Sequence, residues 1–163
     1  QQAPSIEFRV KVDDITTVGM ALGLFDNVVN TNDQIKCEIS GTTIVDRGTT
    51  PTFVGFCFDT GATTAAWYMV NSASGTQGGT LVGTTAPVNA TYETFRIDLD
   101  KDGNAAYYRN GVPVGAKASA VTNTVALAPY AGLITRGAAA VRNLDVDYFE
   151  IWQKRGETSA ILA

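Results

Sequence analysis

Apolar and polar residues alternate along almost the whole chain, and no other feature restricts the fold so strongly. In residues 5–12, Ile6, Phe8, Val10 and Val12 fall on one side and Glu7, Arg9 and Lys11 on the other. A period of two sends successive side chains to opposite faces of a strand, so this segment reads as a strand with one buried and one wet face. Residues 18–25 repeat the pattern, with Gly19 and Gly23 opposing Met20, Leu22 and Leu24. The stretch TFVGFCF at 52–58 is apolar on both faces, as a central strand would be. At 92–99, Phe95, Ile97 and Leu99 alternate with Arg96 and Asp98. Further strands are expected at 65–70, 104–109, 112–115, 126–134 and 141–152, with short ones at 35–39 and 80–82. Residues 26–33 and 71–79 read as polar or Ser/Gly-rich loops. No segment holds a helical period, and turn residues recur about every 8–12 positions. The expected fold is all-β: an antiparallel β-sandwich of about ten to twelve strands.

Such a sandwich needs an apolar interior. The 163 residues are 45% hydrophobic and 17% charged, enough for one domain with a sizeable core. The expected division is a single sandwich over 1–153 and a tail over 154–163, where alternation stops. No apolar run approaches the ~20 residues of a membrane-spanning helix, so no membrane partner is expected. The opening QQAPSIEF has no charged segment ahead of an apolar one and no initiating Met, so a trimmed chain or fragment is expected rather than an intact secretory signal. Net charge is −4 and the basic residues are scattered, which argues against nucleic acid as a partner.

The chain contains no histidine. That removes Ser-His-Asp and Cys-His catalysis, the commonest metal ligand and the usual pH switch. The two cysteines, Cys37 and Cys57, do not make a disulfide framework. Reduced thiols filling a core is the leading reading and a single disulfide the alternative.

Residues 98–111, DLDKDGNAAYYRNG, begin like a calcium loop. Asp98, Asp100, Asp102 and Gly103 suit positions 1, 3, 5 and 6 of such a loop, but Arg109 stands where a bidentate Glu is needed and strands flank it instead of helices. A hairpin explains more. Asp102-Gly103 suits a type I′ turn, Asp98 and Asp100 continue the outer face of the strand before it, and Asn110-Gly111 marks a second tight turn. A cation held by Asp98 and Asp100 with a distant loop is the alternative.

Asp145-Val-Asp147-Tyr-Phe-Glu150 offers paired carboxylates. Retaining glycoside hydrolysis needs two of them about 5–5.5 Å apart. A regular strand places Asp145 and Asp147 on one face and Glu150 on the other unless a bulge intervenes, so a strand with solvated acids is the simpler reading. Trp67, Tyr68, Tyr107, Tyr108, Tyr130 and Trp152 include candidates for a sugar-stacking surface. Adjacent pairs put one ring on each face, and core or cross-strand roles account for most of them.

Three stretches, FRIDLDKDGN from Phe95, YYRNGVPVG from Tyr107 and LDVDYFEIW from Leu144, together with EFRVKV from Glu7 and GMALGLF from Gly19, resemble concanavalin-like (laminin-G-like) jelly rolls. As a set, spanning residues 6 to about 155, they are similar to a group of tailed-bacteriophage virion proteins on that fold. The resemblance implies a non-enzymatic head decoration or cement protein, located in the virion and assembled in the host cytoplasm. Its partners would be capsid protein and copies of itself, a trimer being one such homo-oligomer. A carbohydrate-binding, lectin-like module of a tail fibre is the alternative and a glycoside hydrolase a remote third. Lectins of this fold usually hold calcium with a histidine-containing loop, and its enzymes carry two glutamates in their motif. This chain has neither, so no catalytic residue, metal ligand or cofactor is expected.

Overall fold

The computed structural model describes residues 3–26, 35–46, 51–81, 85–137 and 141–154. Twelve strands appear among them and no helix: β1 (Ala3–Val12), β2 (Val18–Phe25), β3 (Cys37–Ser40), β4 (Thr43–Asp46), β5 (Phe53–Asp59), β6 (Tyr68–Ala73), β7 (Thr76–Leu81), β8 (Glu93–Leu99), β9 (Ala105–Arg109), β10 (Val112–Lys117), β11 (Ala128–Thr135) and β12 (Leu144–Lys154). They form two five-stranded antiparallel sheets, which we call A (β10-β9-β8-β1-β12) and B (β11-β2-β5-β6-β7), and a separate β3–β4 hairpin.

The alternation read from the sequence is what closes the sandwich. Ile6, Phe8 and Val10 of β1 and Phe95, Ile97 and Leu99 of β8 point inward from sheet A. Met20, Leu22 and Leu24 of β2 and Val54, Phe56 and Phe58 of β5 meet them from sheet B. Aromatic rings fill the middle. Trp67 lies 4.5 Å from Phe95, and Phe56 lies 5.0 Å from Phe95 and 5.5 Å from Tyr107. Each such side chain contributes on the order of 1.5–3 kcal/mol by leaving water. The Tyr107 hydroxyl donates to the Val70 carbonyl at 3.2 Å, so its burial leaves no unmet donor.

Sheet B is apolar on its other face as well, as TFVGFCF foretold. The β3–β4 hairpin covers it, and Ile35, Cys37 and Ile39 pack on Phe25, Phe53, Cys57, Val70 and Tyr130. Backbones approach closely here: at the facing pair Gly23 and Gly55, a Cβ on Gly23 would lie 2.2 Å from the Val54 carbonyl oxygen.

One expectation is corrected. Residues 71–79 are not a loop but the greater part of the β6–β7 hairpin, turned at Ser74 and Gly75, both at positive φ. The polar residues that suggested a loop are satisfied within the fold: Asn71 donates to the Ala120 carbonyl and Ser72 to that of Pro51. Residues 43–46, for which no element was expected, pair with β3 as β4. Of the 26–33 loop only Asp26 lies within the described residues. The strand β12 extends to Lys154, the first residue of the expected tail, and 155–163 lie outside them.

Candidate functional site on the outer face of sheet A

The DLDKDGN stretch is a hairpin loop. Leu99 pairs with Ala105, leaving residues 100–104 as the connection. Asp100 organises it: one carboxylate oxygen accepts from the backbone N–H groups of Asp102 and Asn104, both at 2.9 Å, and the other from the Asn104 amide at 2.8 Å. Two details differ from expectation. Only Gly103 has positive φ, so the turn is not type I′, and Asp100 is buried in the loop rather than continuing the outer face. The type I′ pair is Asn110-Gly111, with both residues at positive φ between Arg109 and Val112. Asp98 does lie on the outer face, where Arg96 binds it. No group of three or more potential metal ligands occurs among the described residues.

The bulge that the Asp145–Glu150 stretch required is present. Arg9 pairs with Tyr148 but Val10 with Val146, so Asp147 is the extra residue. The bulge shifts the phase of β12. Asp145, Tyr148, Glu150 and Trp152 all take the outer face, opposite Lys11, Arg9, Glu7 and Ser5. It does not bring two carboxylates together as a retaining pair. The partners of Asp145 and Glu150 are four residues apart on β1, about 13 Å of extended chain, well beyond the 5–5.5 Å of a retaining pair. Asp145 is engaged by Lys11 at 3.0 Å, and Asp147 by Arg9. Glu150 instead faces Glu7 across the strands.

Of the aromatic candidates, Trp67 and Tyr107 are core residues and Tyr130 packs under the hairpin. Tyr68 lies at the margin of that second core. Tyr108 and Trp152 stand on the outer face of sheet A, and Tyr148 and Tyr92 join them. The last two were missed by sequence reasoning. Tyr148 is out of phase unless the bulge is known, although the switch of apolar residues from even numbers (Leu144, Val146) to odd (Phe149, Ile151) marks it.

These rings form an ordered layer with the charged residues between them. In one cross-strand row Glu150, Glu7, Arg96 and Tyr108 lie side by side on β12, β1, β8 and β9; in the next are Trp152, Ser5, Asp98 and Ala106. The Arg96 guanidinium is 4.9 Å from the Tyr108 ring centre and 5.5 Å from that of Trp152, and its Nε donates to Asp98 at 2.8 Å. That hydrogen bond to Asp98 is the largest influence raising the arginine's pKa. The Tyr148 hydroxyl donates to Glu7 at 2.7 Å, and this bond keeps its proton on to higher pH. Arg9 lies 4.4 Å and Lys11 4.9 Å from the Tyr92 ring centre. Cations placed over ring faces in this way gain about 0.5–1 kcal/mol each at exposed sites. The result is a pre-ordered surface of flat rings, fixed donors and fixed acceptors.

A groove of about 420 Å³ opens elsewhere, between Leu24, Leu99, Val121, Leu127 and Ile151. No aromatic ring among the described residues lines it, and Asp100 at its margin is committed to its own loop. The outer face of sheet B is closed by the hairpin, which is pinned by an ionic trio: Arg136 binds the buried carboxylates of Asp59 on β5 and Glu38 on β3.

No family model and no curated protein matches this sequence. Solved structures do match. Sheep galectin-11, in a complex with glycerol, superposes with a TM-score of 0.54 at 10% identity over 93% of this chain and 95% of that one. A family 16 glycosyl hydrolase from Mycobacterium smegmatis gives 0.61 at 11% identity over 91% of this chain but only 63% of the enzyme. The carbohydrate recognition domain of Emp47p gives 0.51 at 10% identity, over 93% and 72%. The fold is a concanavalin-like jelly roll. At these identities the likeness concerns the fold alone, which hosts binding modules and enzymes alike.

Proposed function

We propose that this chain is a non-enzymatic carbohydrate-binding domain that takes neutral glycans on the outer face of sheet A. The observation that carries the reading is the guanidinium of Arg96 fixed beside the Tyr108 and Trp152 rings and bonded to Asp98, with Glu7 in the same row accepting from the Tyr148 hydroxyl. A sugar presents an apolar C–H face and a rim of hydroxyls. Flat rings meet the first, and ordered carboxylates and guanidinium N–H groups meet the second. Among the described side chains the face carries the carboxylates of Glu7, Asp98, Asp145, Asp147 and Glu150 against the cations of Arg9, Lys11 and Arg96, an excess of negative charge that disfavours acidic glycans. The likeness in fold to a galectin and to a carbohydrate recognition domain supports the class of ligand.

The test is a glycan array spanning neutral and acidic oligosaccharides, followed by calorimetry on the best ligand. Neutral glycans should bind, and Trp152→Ala should weaken binding by about 2 kcal/mol, roughly thirty-fold in Kd. Its Tm should barely move, since the ring lies outside both cores. Absence of any glycan ligand, or equal affinity in the variant, would refute the proposal.

A structural role in a tailed-phage virion is the second reading, with shell subunits as partners. One observation favours it. Along β12, Val146, Phe149 and Ile151 point to the inner side of sheet A, yet they are 43%, 56% and 44% exposed. An apolar strip on an edge strand suits burial against a neighbouring protein. If this reading holds, the chain co-purifies with capsids and its removal lowers their heat resistance.

A further inference from the structure

We propose that Cys37 and Cys57 are a reversible disulfide site, a clip that fastens the β3–β4 hairpin to sheet B. The inference is independent of the glycan reading. It rests on register. Strand β3 runs beside β5 at a constant offset of twenty residues, marked by three contacts. The Cys57 thiol reaches the Cys37 carbonyl at 3.4 Å. The Ile39 N–H donates to the Asp59 carboxylate at 2.9 Å. The Gly41 N–H donates to the Gly61 carbonyl at 2.8 Å. The two cysteines therefore face each other across the interface, fully buried among Val70, Phe53 and Ile39, and both are free thiols in this structure.

The chemistry balances with a disulfide oxidant such as oxidised glutathione. One cysteine thiolate attacks the oxidant, forms a mixed disulfide and releases one reduced glutathione. The second cysteine then attacks the protein-bound sulfur, closes the Cys37–Cys57 bond and releases the other, each cysteine having given up one proton and one electron. Burial pushes the Cys57 thiol pKa up, so exchange runs through openings in which β3 lifts from β5. Closing the bond removes that motion and restricts the unfolded chain across the loop between the two cysteines.

The experiment incubates the purified chain in an oxidised/reduced glutathione buffer, quenches by alkylation under denaturing conditions and maps the peptides by mass. The expected product is an intramolecular Cys37–Cys57 crosslink, with a Tm about 5–10 °C above the reduced form that returns on adding dithiothreitol. Cys37→Ser and Cys57→Ser should each lose the rise. Peptide mapping of the unmutated chain decides the question even if a variant folds poorly. Two alkylated cysteines, glutathione adducts without the crosslink, a crosslink between chains, or a crosslink that leaves Tm unchanged would each overturn the proposal.

Discussion

Asp100 shows how much one side chain can determine. Its carboxylate closes the β8–β9 loop through two backbone N–H groups and the Asn104 amide. Asp100→Ala keeps the strands but leaves those donors without their acceptor. The expected cost is about 1–3 kcal/mol in urea unfolding, with the m-value unchanged. Asp13 acts similarly at the start of the β1–β2 connection. Bonds from the Asn143 backbone, the Asn143 side chain and the Asp14 N–H hold its pKa below the ordinary carboxylate range. A carboxyl whose folded pKa is depressed stabilises the fold above its unfolded pKa of about 4, and that contribution is lost as pH falls through the folded value. Tm should therefore drop as pH falls below about 4, and Asp13→Asn should lower Tm at pH 6 while flattening the acid limb. Neither role was legible beforehand. The sequence shows an Asp in a turn-rich stretch, and only the fold decides whether its oxygens meet ligands, solvent or neighbouring N–H groups.

Element by element, the strands with a clean period of two were legible, and the departures have physical causes. Alternation in β1 and β8 placed their inner faces correctly because one-sided burial fixes register, and the run of β5, apolar on both faces, marked a central strand covered from both sides. The β6–β7 hairpin was hidden by its composition. Ser72 and Asn71 are polar, and their partners lie on distant loops that local reading cannot see. The bulge at Asp147 was named as a condition and is present, but it serves a purpose different from the one considered. It aligns Tyr148, Glu150 and Trp152 on one face instead of joining Asp145 to Glu150. Close strand approach is a further property of elements. Gly23→Ala should cost about 3 kcal/mol by chemical denaturation, the upper end for overpacking, because the new methyl meets backbone rather than a side chain that can move.

At the level of the whole molecule, two cores account for the architecture. One lies between the sheets and one under the hairpin, so sheet B is closed on both sides and the outer face of sheet A is left to solvent. An all-β sandwich followed from the sequence pattern. The surface that could bind did not, because it is assembled from β1, β8, β9 and β12, strands that are distant along the chain. The central claim is that this outer face is the ligand surface. It is tested most directly by titrating a neutral oligosaccharide chosen from the array into isotopically labelled protein and following NMR chemical shifts. The account predicts saturable shifts clustered at Arg96, Tyr108, Tyr148 and Trp152, with the Val121–Leu127 side of the groove unmoved. Shifts confined to the groove or the hairpin, or none at saturating sugar, would contradict it.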